Sequence, residues 1–197
     1  VRKQTDMVKA LKDYDTLRQK LLTLKRRQAN PPQDFQKWES LYIQHLSPLS
    51  FFLDTFPARV ERMEISLPIP AKDRLEEAED LRNHFSDKFS EFYRRALPLW
   101  EAGEEKRPKM IEDLQKIKIP QEEQRIFVLM DGMRWDLWEY LKENLFASLA
   151  NQVQIFQEGA LWARLPSTTP RQMEFFTGEE GIWKIAGIDE RVHTEKG

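Results

Sequence analysis

Two short stretches carry side chains whose types and spacing suit chemistry. The first is Arg125-Ile126-Phe127-Val128-Leu129-Met130-Asp131-Gly132-Met133-Arg134-Trp135-Asp136. Five apolar residues end abruptly at a carboxylate and a glycine, and an amphipathic run, Leu137-Trp138-Glu139-Tyr140-Leu141, follows at once. That order predicts a strand buried on both faces, a tight turn, and a helix packing back on a sheet. In open α/β sheets, ligands gather beyond the carboxyl ends of the strands. Asp131 would stand there, free to bind a metal, polarise a nucleophile, or merely cap the next helix.

The second stretch is Leu165-Pro166-Ser167-Thr168-Thr169-Pro170. It follows two more strand-like pieces, Val153-Gln154-Ile155-Phe156 and Ala160-Leu161-Trp162-Ala163-Arg164, and precedes Met173, Phe175, Phe176 and Thr177-Gly178. Its three hydroxyls open a short expected helix, where free backbone N–H groups favour an anion. A hydroxyl becomes a nucleophile when something lowers its pKa, and a metal is the usual means. No G-x-G-x-x-G follows the first strand and no G-x-x-x-x-G-K-[ST] occurs anywhere. A Gly-rich backbone cradle for a dinucleotide or nucleoside triphosphate is therefore not supported, and anchoring falls to side chains.

Together the two phrases, over roughly residues 125–180, resemble the alkaline-phosphatase superfamily, and within it the PglZ-domain branch. The resemblance implies an α/β domain whose first strand ends in a metal-binding Asp, here Asp131. It also implies a Leu-Pro-Ser/Thr-x-Thr phrase whose Thr is both nucleophile and metal ligand. Counted from Pro166 that Thr is Thr169; counted back from Thr177-Gly178 it is Thr168, and the tight Pro-x-x-Thr spacing favours Thr169. The implied cofactor is a pair of divalent metal ions, zinc first and manganese as the alternative. The implied activity is hydrolysis of phosphate or sulfate esters, phosphodiesters or phosphoanhydrides above monoesters, on a phosphorylated small molecule or nucleotide.

The chain departs from that pattern in its ligands. A catalytic zinc needs three protein ligands and an open position, and family members supply further Asp and His residues far beyond the Thr. Here the histidines are His45, His84 and His193, none in a family-like phrase. Asp189 and His193 share a helical spacing, but nothing else in their segment is helical. The chain starts at Val1 rather than Met and stops at Gly197. It reads as the front part of a longer protein's catalytic domain, inactive by itself.

Those motifs must be positioned by the rest of the chain. Met7, Leu11, Tyr14, Leu17, Leu21 and Leu24 recur at helical steps, predicting a helix over about 3–28 that Asn30-Pro31-Pro32 ends. Phe35, Trp38, Leu41, Tyr42 and Leu46 restart the pattern, and Pro48 and Pro57 interrupt or kink it around Phe51, Phe52, Leu53 and Phe56. Leu67-Pro68-Ile69-Pro70 reads as a non-helical connector. Leu75, Ala78, Leu81, Phe85, Phe89, Phe92, Ala96 and Leu99 form the longest clean stripe. The expected fold class is α+α/β: a helical bundle over 1–103, a linker and short helix over 104–119 (Met110, Ile111, Leu114, Ile117), then the start of an alkaline-phosphatase-like α/β domain over 120–197.

Composition sets outer bounds. Acidic residues number 33 against 31 basic, so no global field would hold the chain on nucleic acid or an anionic membrane. Cysteine is absent, which excludes disulfides and thiolate metal sites. No apolar run approaches the ~20 residues of a membrane span, and the Lys-rich start lacks a signal peptide's apolar core, so the default compartment is the cytoplasm. Six Trp and twelve Phe suffice for a core, and seven glycines suit long helices better than hairpins.

Secondary features read as structure first. Lys25-Arg26-Arg27 suits a helix C-terminus, and His45 and His84 have no ligand-quality partners. Asp136 is expected at a helix start from the dipole alone, while Arg134 would either reach a phosphate or form a salt bridge. The alternative to a hydrolase is a non-catalytic helical module, its helical region a partner-binding or dimerising arm, joined to a degenerate or truncated α/β half.

Overall fold

The computed structural model describes residues 2–63, 69–116, 130, 133–149, 152–153, 155, 158–168 and 172. They fall in two compact units, Val1–Arg107 with Arg134–Ser148, and Pro108–Met133 with Leu149–Gly197. Among the described residues about three quarters are helical and there is no strand and no sheet. The expected α/β half is therefore corrected.

In the first unit, α1 (Arg2–Gln28) buries Leu17, Leu21 and Leu24, the second half of its stripe. Lys25, Arg26 and Arg27 fill its last turn, where cations complement the exposed carbonyls. Pro31 and Pro32 then stop it, each lacking the N–H that another turn requires. α2 (Phe35–Leu41) opens on Asp34, whose extended backbone lets its carboxylate accept the Lys37 N–H at 2.8 Å.

α2 runs on into α3 (Ser47–Arg62) without leaving right-handed helical backbone, through a single wide π-type turn, Tyr42–Leu46. The Ser47 N–H reaches back to the Tyr42 carbonyl, five residues away. Pro48 explains the widening: it has no N–H for the Gln44 carbonyl, and its ring crowds that carbonyl in a regular helix. Gln44's oxygen accepts instead from Lys20 Nζ of α1 at 3.4 Å. Pro57, expected to interrupt or kink the chain, lies inside α3, which continues through it.

α4 (Ile69–Ala102) carries the long stripe. Ile69 and Pro70, expected in a non-helical connector, open this helix; Pro70 sits in the first turn, where a missing N–H costs nothing. Leu67 and Pro68 lie outside the described residues. The end of α4 is a Schellman cap. Gly103 takes φ +72°, its N–H reaches the Trp100 carbonyl at 3.2 Å, and the Glu104 N–H reaches the Leu99 carbonyl at 2.9 Å.

The core of this unit is aromatic. Trp38 of α2 packs on Phe85, Phe89 and Phe92 of α4 with ring centroids 5.4–6.4 Å apart. Trp100 packs on Phe35, Phe92 and Tyr93 at 5.9–6.2 Å. Most of these contacts are edge-to-face, the arrangement that ring quadrupoles prefer. Each such buried side chain contributes ~1.5–3 kcal/mol. Ion pairs frame the core: Asp13 of α1 with Arg59 of α3, and Lys25 of α1 with Glu77 of α4.

The amphipathic run after the Asp131 phrase does form a helix, α5 (Trp135–Leu141). It lies on α3 rather than on a sheet, with Tyr140 against Phe51 at 5.5 Å. Amphipathic periodicity predicts that a face will be covered but not by what, so a helical neighbour satisfies it as well as a sheet.

In the second unit the strand expectations change most. Val153 and Ile155 have no regular structure and are exposed, while Gln154 and Phe156 lie outside the described residues. Of the first expected strand only Met130 is described, and it is irregular and 52% exposed. The third piece forms a single parallel bridge. Trp162 donates to the Lys109 carbonyl and accepts from the Ile111 N–H, both at 2.9 Å. The pairing stops there because its partner coils at once into a 3₁₀ helix, Ile111–Lys116. Asp113 starts that coil by accepting the Met110 N–H at 2.9 Å, half of a capping box. Short apolar runs state a burial requirement; only an available partner edge makes them strands.

Candidate functional site

The hydroxyl phrase of the second unit is a built loop. Arg164, Leu165 and the residues before them are half-buried, whereas Pro166, Ser167 and Thr168 are exposed. Gln172 organises it. Its carboxamide makes two hydrogen bonds to one residue: Nε2 donates to the Arg164 carbonyl at 2.6 Å and Oε1 accepts the Arg164 N–H at 3.0 Å. Nε2 also approaches the Pro166 carbonyl at 3.4 Å. The Gln172 backbone N–H donates to the Thr168 carbonyl at 3.0 Å, the spacing of one helical turn. One residue thus touches positions 164, 166 and 168.

The upstream end of the loop is anchored separately. The Arg164 guanidinium donates to Glu112 at 2.5 Å, and both side chains are mostly buried. With the Trp162 bridge, residues 162–168 are therefore tied to the 109–113 segment at one end and to Gln172 at the other. Thr168, one of the two expected nucleophile positions, stands exposed at the end of this braced stretch. Thr169 and Asp131 lie outside the described residues.

In the first unit, Arg134 and Asp136 start α5. Arg134 is the extended N-cap residue (φ −86°, ψ 159°) and Asp136 lies in the first turn, as the helix dipole favours. Arg134 Nε and Nη2 grip the Asp136 carboxylate at 3.0 and 2.6 Å, and Nη2 also reaches Asp54 of α3 at 2.6 Å. Asp136 and then Asp54 push the Arg134 pKa further above its ordinary value. The guanidinium is committed to two carboxylates, so of the two roles open to Arg134 the salt bridge is the one observed. Burial, and next the Asp136 carboxylate, raise the pKa of the Tyr42 hydroxyl beside this cluster.

Among the described residues no three His, Cys, Asp or Glu side chains stand together in a way that could hold an ion. Asp136, the acid closest in sequence to Asp131, is already neutralised by Arg134. The described residues do not make a metal site. A shallow cleft of about 250 Å³ in the first unit is lined by Asp34, Phe35, Phe92 and Trp100, and Thr168 is not among its lining residues.

Neither His45 nor His84 belongs to a group of three metal-ligating side chains among the described residues. His45 lies on the π-type turn, and burial, then Arg27 and Lys20, lower its pKa. His84 packs edge-on against Phe85 at 5.5 Å. Sequence reasoning missed Asp54, Glu112 and Gln172. Asp54 sits on an exposed position between apolar ones and carries no motif; for Gln172 the one available signal is its place four residues after Thr168. No helix among the described residues is long and apolar enough to cross a membrane. No protein-family model, curated protein or solved structure matches the chain.

Proposed function

We propose that the chain carries part of the catalytic apparatus of a phosphoester hydrolase of the PglZ type, acting on phosphodiesters or phosphoanhydrides. Thr169 is the nucleophile, with Thr168 as the other register, and Asp131 is a metal ligand. The observation that supports it is the exposed hydroxyl loop braced at 164, 166 and 168, since a nucleophile needs a fixed backbone with its side chain open to substrate. The reading concerns these side chains and requires no sheet. In the reaction the Thr169 hydroxyl gives up its proton to water and its oxygen bonds to phosphorus as the bond to the leaving oxygen breaks, while that leaving oxygen takes a proton back from water. Water then cleaves the phosphothreonine and restores the hydroxyl. A divalent metal, zinc before manganese, belongs to the proposal as the group that lowers the hydroxyl's pKa, with Asp131 and Thr169 as its contacts in this chain.

The test is turnover of bis(4-nitrophenyl) phosphate with zinc or manganese by the full natural polypeptide. Asp131→Asn and Thr169→Ala should each lower kcat by ~10³-fold or more with the fold intact. Wild-type turnover in both variants and in Thr168→Ala would end the reading.

A second reading, a helical module that binds a protein partner or dimerises, has one observation in its favour. Leu137, Tyr140 and Leu145, on α5 and the turn after it, are 39–50% exposed. Sedimentation of the polypeptide with and without Leu137→Lys and Leu145→Lys separates it from the first: a shift to a smaller species would support association.

A further inference from the structure

We infer that Gln172 is a positioning residue for the nucleophile loop, acting through backbone groups and not through substrate; the inference rests on the hydrolase reading above. Its carboxamide satisfies both the N–H and the C=O of Arg164, as a neighbouring strand would, and so fixes the orientation of that residue's two peptide planes. A planar two-point contact of this kind resists rotation in a way that one hydrogen bond does not. The weaker contact to Pro166 and the backbone bond to Thr168 extend the same residue's hold along alternate positions of the loop. Arg164 is held from the other side by Glu112. The loop has no sheet ladder to hold it among the described residues, and Gln172 takes that place. Misplacing a reacting group by about 1 Å costs on the order of 10²-fold in rate, so a bracing side chain that never meets substrate still governs turnover.

The inference separates from the general stability of the fold through two readouts on the full natural polypeptide. The first is amide hydrogen exchange at Arg164, whose N–H donates to Gln172 Oε1. The second is the split between kcat and KM for bis(4-nitrophenyl) phosphate with zinc. Gln172→Ala should speed Arg164 exchange by ~10-fold or more and lower kcat by ~10- to 100-fold, with KM within about 2-fold and an unchanged thermal melt. Gln172→Glu keeps the acceptor for the Arg164 N–H and loses both donated bonds. It should keep most of the exchange protection and fall between wild type and Gln172→Ala in kcat, which also covers the case in which Gln172→Ala fails to fold. Unchanged Arg164 exchange in Gln172→Ala would overturn the brace itself. Faster exchange with wild-type kcat, in a protein that Thr169→Ala inactivates, would overturn the positioning role while sparing the hydrolase reading. If Thr169→Ala and Thr168→Ala both turn over normally, the hydrolase reading falls and the catalytic role of Gln172 falls with it.

Discussion

The two units are held together by different physics. The helical unit rests on interlocked rings, with Trp38 touching three phenylalanines of α4 and Trp100 closing the cluster. In the described part of the second unit Met110 is buried too, and directed polar contacts stand beside it: one bridge, the Arg164–Glu112 pair, and the Gln172 carboxamide. Apolar packing is non-directional and shared among many contacts, so it tolerates small errors at each. A polar brace made of a few bonds sets an exact backbone path and fails when one partner is lost. The first suits a scaffold, the second a loop whose backbone path is fixed at a few points.

The largest expected effect tests the ring cluster. Trp38→Ala should destabilise the helical unit by ~3–5 kcal/mol, seen as an earlier midpoint in urea unfolding followed by circular dichroism. Trp38→Phe should cost much less. It keeps most of the apolar area and removes an indole N–H that is buried without a partner. Equal losses in both variants would mean that the cluster is not what holds this unit.

A smaller effect is expected in the second unit. Glu112→Gln should cost about 1–3 kcal/mol, because it leaves the mostly buried Arg164 guanidinium with a weaker partner. Exchange at the Arg164 amide should rise while the melting of the helical unit stays put. Gly103→Ala should cost ~1 kcal/mol through the left-handed backbone alone, since an added Cβ there meets nothing within 4 Å.

The smallest effect is a pH dependence. The folded-state pKa of His45 lies below its ordinary value, so below about pH 6.5 the unfolded chain binds a proton that the folded chain resists. Stability should therefore fall as pH drops from about 7.5 to about 5.5, and His45→Gln should flatten that slope in thermal melts. Asp34 shifts downward through its bonds to Lys37, so its contribution is present at neutral pH and lost only in acid, as pH falls through its depressed pKa. The two groups occupy separate pH windows, which lets one titration distinguish them.

The difference between the units also explains what the sequence made legible. Leu17, Leu21, Leu24, Trp38, Leu41, Ala78, Leu81, Phe85, Phe92 and Ala96 all stood on expected stripes and are all buried. Helical periodicity is a local property, and each stripe predicts its own helix. The expected sheet failed because Val153, Ile155 and Trp162 state only an apolar preference, and a strand depends on a partner remote in sequence. Pro48 was legible as an interruption, but the π-type turn and the Lys20 contact that accommodate it were not. For the candidate site, the hydroxyl loop was marked by its residue types. Its brace was not, because one glutamine among ordinary polar residues has no signature until the backbone brings residues 164 and 172 together.

If a threonine of this loop attacks phosphorus, a covalent adduct forms on it and can be trapped. The full natural polypeptide would be mixed with bis(4-nitrophenyl) phosphate and zinc, quenched in acid within the first turnover, digested and sequenced by mass spectrometry. A phosphoryl-ester adduct is expected on Thr169, absent from Thr169→Ala and from Asp131→Asn. An adduct on Thr168 would move the nucleophile by one residue and keep the mechanism. Release of 4-nitrophenol with no adduct on either threonine, and at an undiminished rate in both alanine variants, would show that neither threonine is the nucleophile.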